Sequence, residues 1–67
     1  MVLSKEKIDL ARARSCLTDK EIAEKYGATV TATRFLFADK EVNPRTAGRL
    51  ARALNVDVTE IIKNEED

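Results

Sequence analysis

Four separate segments of this 67-residue chain carry the residues that start an α-helix, which leaves little room for other regular structure. Thr18-Asp19-Lys20-Glu21 reads as a capping box. The Thr18 hydroxyl accepts from the third backbone N–H, and the Glu21 carboxylate accepts from the Thr18 N–H in return. Leu17 and Ile22 flank the box at the positions of a hydrophobic staple. Asp57-Val58-Thr59-Glu60 repeats the scheme, with Val56 and Ile61 as staple. Asn43 is a good N-cap, and Pro44 follows at the first helical position, where its missing N–H costs nothing. Val42 and Ala47 are the apolar pair there. Ser4 caps a first helix, with Leu3 against Ile8.

The spacing therefore predicts an all-α chain of five helices. The first covers Lys5–Ser15, with Ile8, Ala11 and Ser15 on one face. The second covers Asp19–Tyr26 and stops at Gly27, a natural left-handed residue. A third lies within residues 30–38, with the weakest start signal and the most β-branched residues. The fourth spans 44–54, where Ala47, Leu50, Ala51 and Leu54 make an amphipathic stripe. The fifth is short, with Val58, Ile61 and Ile62 inward. No alternating strand pattern competes, a few residues near 29–33 aside. Residues 64–67 read as a frayed acidic end, and residues 1–67 as one domain with one small core.

Composition narrows the functions. No apolar run approaches the roughly 20 residues of a membrane span, and the Met1 end lacks the apolar stretch of a secretory signal, so a cytoplasmic protein is expected. The chain has one cysteine and no histidine, which points away from a disulfide or a zinc site. Cys16, beside Leu17, reads as a small core or boundary residue. Net charge is formally zero but unevenly spread. Residues 34–52 carry +3, residues 53–67 carry −4 and the first 33 carry +1. A basic segment followed by an acidic one is a modest electrostatic footprint.

Ala23 and Gly27 lie four residues apart at the end of the second helix. A small residue where two helices cross, and a glycine where the chain turns left-handed, are what a helix-turn-helix needs. Ile22, Tyr26 and Leu36 fill the space beneath. Together with Ile8, Ala11-Arg12, Leu17-Thr18, Asn43-Pro44, Leu50-Ala51 and Ala53-Leu54-Asn55-Val56, these residues make the chain resemble the Cro/repressor-type (XRE) helix-turn-helix family over about residues 7–62. The resemblance implies a compact five-helix, lambda-repressor-like domain whose second and third helices form the helix-turn-helix. It implies a phage- or mobile-element-type transcriptional regulator, repressing or activating, that binds double-stranded DNA as a homodimer on a pseudo-palindromic operator. It implies no enzyme activity and no cofactor.

The chain departs from the family pattern at three places. Asp19 stands where many members carry a phosphate-touching Gln. Arg12 matches an arginine that often pairs with a glutamate, and Phe37 occupies the glutamate's place. Thr33 falls where an apolar core residue is usual. Two registers of the third helix follow. In the first, Thr29 caps, Leu36 and Phe37 pack, and Phe35 is left partly exposed. In the second the turn is two residues longer, Val30, Phe35 and Ala38 pack, and Thr31, Ala32 and Thr33 lead outward. The first aligns Val42-Asn43-Pro44 without a gap.

In the first register Thr29, Val30, Thr31 and Arg34 are the candidates for contact with base edges. Arg34 can donate two bonds to guanine, and threonine or valine methyls can touch thymine. Thr29 can equally be only a cap, Val30 only core and Arg34 a phosphate contact. Thr18 and Lys20 at the second helix start, and Lys40, Asn43 and Arg45 before and within the fourth, are candidates for the DNA backbone. Arg49 and Arg52 read as plain surface residues. The alternative function is a protein–protein interaction module, adaptor or antitoxin-like, on the same fold with weak or no DNA affinity. Zero net charge, Asp19 and a Phe35 in solvent motivate it. No small-molecule ligand or membrane partner is evident, and the dimer seam falls to the fifth helix or the phenylalanines.

Overall fold

The computed structural model describes residues 1–63; the acidic end read at 64–67 lies outside the described residues. The chain runs α1 (Lys5–Ser15), α2 (Asp19–Tyr26), α3 (Val30–Arg34), α4 (Pro44–Ala53) and a single 3₁₀ turn, Val58–Glu60. The all-α expectation holds. Each start signal works through the atoms the sequence names. Ser4, Thr18 and Asn43 accept from the N–H groups of Lys7, Glu21 and Thr46, and the boxes Thr18/Glu21 and Asp57/Glu60 are both closed. The staple residues Leu3, Ile8, Ile22, Ala47 and Ile61 are buried, and Leu17, Val42 and Val56 pack against them.

The core forms where these faces meet. Leu3, Ile8, Ile22, Leu50, Leu54 and Ile61 are fully buried, with Ala11, Ala47, Ala51 and Ala53 closing the gaps between them. Alanine at these places lets backbones approach. α2 packs on α3 and α4, and α4 on the 3₁₀ turn. Among the described residues no helix is long and apolar enough to cross a membrane.

Two expectations need correction. The fifth helix is one 3₁₀ turn rather than an α-helix, because the chain leaves it at once to pair with the N-terminus. The N–H of Ser4 donates to the Ile61 carbonyl at 2.8 Å, and Leu3 bridges Ile62 in antiparallel fashion. Ile61 is buried as expected, but Val58 and Ile62 are only partly so. α3 covers five residues inside the expected span and unwinds through 3₁₀-type bonds from Leu36 to Thr33 and from Phe37 to Arg34, both 3.0 Å. Cys16 is exposed, not a core or boundary residue. It caps the C-terminus of α1 in the left-handed region, at φ 55°, so its side chain leaves the apolar stripe.

Residues 1–3 make a clasp that no sequence pattern announced. Leu3 donates its N–H to Lys40 O at 2.7 Å, and Val42 donates to Met1 O at 2.8 Å. On the other side Lys63 donates to Val2 O at 2.8 Å. The N-terminus thus lies between the segment before α4 and the segment after the 3₁₀ turn.

Acid should loosen this fold. Backbone N–H groups of Lys5, Thr18 and Thr59 hold the Asp39, Glu21 and Asp57 carboxyls below their ordinary values, and Arg12, then Arg34, do the same for Asp19. A depressed carboxylate contributes stability that is fully present above its unfolded pKa, near 4, and is lost as pH falls through the folded value. Melting temperature is expected to hold from about pH 7 to about pH 5 and to fall below that. A flat profile down to about pH 3 would show that these bonds add nothing.

Candidate functional site

α2 ends because Gly27 turns the chain left-handed, at φ 91°, with its N–H on Ala23 O at 2.8 Å. Ala28 N–H shares the same carbonyl at 3.1 Å. Two residues later Thr29 starts α3, its hydroxyl accepting from Ala32 N–H at 3.1 Å. The turn is thus short and bonded at both ends. A Cβ on Gly27 would stand 2.9 Å from Nη2 of Arg49, whose guanidinium lies 4.6 Å from the Tyr26 ring centre. Gly27→Ala is expected to cost about 1–2 kcal/mol from the left-handed backbone, with the arginine tip able to swing away. Urea unfolding measures this; a midpoint equal to wild type would mean that the turn relaxes elsewhere.

α3 divides its residues cleanly. Thr33 is 1% exposed and faces inward. Its hydroxyl donates to Thr29 O at 2.8 Å, which explains how a polar residue occupies a core place without an unmet bond. Phe37 is 9% exposed and joins the core, with Leu36 packed against it. Thr29, Thr31, Ala32, Arg34 and Phe35 are exposed, and Val30 is half-buried. This is the register with Thr29 as cap. The longer-turn alternative needed Phe35 packed, and Phe35 is 68% exposed. Of the candidate base-contacting residues, Thr31 and Arg34 share one shallow surface with Phe35, Thr29 stands at the helix start, and Val30 is the least accessible.

The flanking candidates fall around this face. Thr18 is committed to its capping box, and Lys20 is exposed in the first turn of α2. Lys40 donates from Nζ to Phe35 O at 3.2 Å, tying the loop after α3 to that helix end. Asn43 accepts from Thr46 N–H through Oδ1 at 2.8 Å, which leaves its Nδ2 for donation. Arg45, Arg49 and Arg52 are exposed, line one side of α4 beside Gly48, and make no ion pair with an acid among the described residues.

Asp19, at the start of α2, has two arginine partners on this face. Oδ1 accepts from Arg12 Nη2, and Oδ2 accepts from Arg34 Nε at 3.1 Å. Arg12 in turn lies over the Phe37 ring, 4.3 Å from its centre. Arg12 is thus held between an aromatic face and the Asp19 carboxylate. Asp19 was identifiable only as the wrong sign for phosphate, since nothing in the sequence states that residues 12, 19, 34 and 37 converge. Among the described residues no group of acids and cysteine gathers in a way that can hold a metal ion.

Comparison of the chain with family models, curated proteins and solved structures gives no match.

Proposed function

We propose that the chain is a sequence-specific, double-stranded-DNA-binding transcriptional regulator of the Cro/repressor helix-turn-helix type, a lambda-repressor-like domain acting as a homodimer in the cytoplasm. One observation carries the reading. The bonded turn at Gly27 joins two helices whose inner residues, Ile22, Ala23 and Thr33, are sealed while Thr29, Thr31 and Arg34 are exposed. A short helix that exposes Thr29, Thr31 and Arg34, side chains able to form hydrogen bonds, suits the edges of bases in a major groove. Lys20, Lys40, Asn43 and Arg45 flank that helix with donors for phosphate. The body measures 32 × 22 × 16 Å, so two copies fit side by side on half-sites one helical turn, about 34 Å, apart.

Selection from a random duplex pool tests this. The enriched DNA is expected to contain two related halves. With Lys20, Lys40 and Arg45 each neutralising a phosphate, the affinity should fall with salt at a log–log slope of about −3 per subunit. No enrichment, or salt-independent retention, overturns the proposal. The second reading, a protein-interaction module, draws on Phe35 standing in solvent and Leu10, 56% exposed on α1. It gains ground only if DNA selection fails while the folded protein is intact.

A further inference from the structure

The feature of the face that DNA binding alone does not require is an acid bonded to its best base-reading arginine. Asp19 opens α2 and Arg34 closes α3, fifteen residues apart, yet Nε of Arg34 donates to Oδ2 of Asp19 at 3.1 Å. The carboxylate is itself held from behind. Its other oxygen accepts from Arg12, and Arg12 is fixed by the Phe37 ring at 4.3 Å and by Asp9 at 3.4 Å. Asp19 is three-quarters buried at its side chain, whereas Arg34 is 62% exposed. The supporting end is therefore fixed and the supported end free.

The chemistry of a guanidinium gives this arrangement a direction. Nε–H and the two Nη groups form a planar fork with five N–H donors. Once Nε–H is occupied by a carboxylate, the remaining edge, Nη1 with Nη2, is left to offer two parallel donors, the pattern that guanine O6 and N7 accept. Holding the arginine before binding removes rotamer freedom that would otherwise be lost in the complex. The same negative charge repels phosphate, so it discourages the arginine from settling on the sugar-phosphate backbone.

From this contact we infer that Asp19 is a positioning residue for Arg34, aiming its Nη edge at a guanine and withholding it from phosphate. The inference rests on the DNA-binding reading above and adds the base class and the residue that enforces it. Asp19 touches no base itself.

Two measurements test it. The first needs no DNA: in the free wild-type protein the Arg34 Nε–H is expected to give a separate, slowly exchanging NMR cross-peak that is lost in Asp19→Ala. An Nε–H exchanging as fast as that of Arg45 overturns the inference outright. The second uses the selected duplex and the same duplex with the Arg34-read G·C pair exchanged. Wild type is expected to discriminate between them roughly tenfold or more. Asp19→Ala, which removes the acceptor, should lose that preference as fully as Arg34→Ala, and the double variant should lose no more, because the two act as one unit. Affinity of Asp19→Ala for unrelated DNA should hold or rise. A preference that survives or sharpens in Asp19→Ala shows Asp19 to be a mask or a purely structural ion-pair partner, and overturns the inference while leaving DNA binding intact. Wild type with no preferred duplex overturns both.

Discussion

Phe37→Ala is expected to leave most molecules unfolded at body temperature. The ring is 9% exposed and belongs to the single core cluster, and truncating a buried phenylalanine typically costs about 3–5 kcal/mol. A domain of this length holds on the order of 3–10 kcal/mol in total. The ring also supports the Arg12 guanidinium, a contact worth about 0.5–2 kcal/mol when partly desolvated. Its loss should therefore loosen Asp19 and Arg34 as well. Far-UV circular dichroism against temperature reads the first effect. A melting point within a few degrees of wild type would mean that Leu36 or Phe35 swings in to fill the space.

Leu50→Ala should cost nearly as much for a different reason. Leu50 is completely buried at the middle of α4, between the alanines that let α4 sit close to its neighbours. Its deletion removes about 2–5 kcal/mol of packing, the spread reflecting how far the cavity collapses. Small alanine neighbours have no long side chains to move into the gap, which places the expectation in the upper half of that range. Leu50 contributes nothing to the Arg12–Asp19–Arg34 chain. Under conditions where the Leu50 variant is still folded, its Arg34 Nε–H signal should match wild type, whereas the Phe37 variant should lose it. Equal loss in both would mean that the ion-pair chain reports global stability alone.

The contrast between these residues also marks what a single sequence reveals. Leu50 could be placed because helical spacing and a cap four residues inside a staple are local signals. The bounds of α1 and α2 follow for the same reason: Ser4, Thr18 and Gly27 act on backbone within one turn. Phe37 was assignable only through a choice of register, since Thr33 broke the apolar period. The broken period has a local remedy in the bond from Thr33 to the Thr29 carbonyl, which is invisible to hydropathy. Asp57 and Glu60 form a complete capping box, yet no α-helix follows, because pairing of Leu3 with Ile62 overrides the local preference. That pairing spans nearly the full chain and is too brief to show alternation. The site was legible in the same uneven way. Thr29, Thr31 and Arg34 follow from the cap and turn, but the acid beneath Arg34 belongs to another helix.

The ladder made by residues 1–3 governs how the molecule would yield to force. Val2 meets Lys63 and Ser4 meets Ile61 in antiparallel order, so both strands of that pair leave from the same end. Tension on the two strands peels such a ladder rung by rung instead of loading all rungs together. The bond from Lys63 to Val2 would part first, and the next to go would free the seat of Leu3 and the carbonyl of Ile61 while α2, α3 and α4 stay docked. A handle or fusion tugging at Met1 is consequently not a neutral attachment: it pries at the floor of the core, and it also strips Val42 O of the ammonium group it accepts from at 3.0 Å.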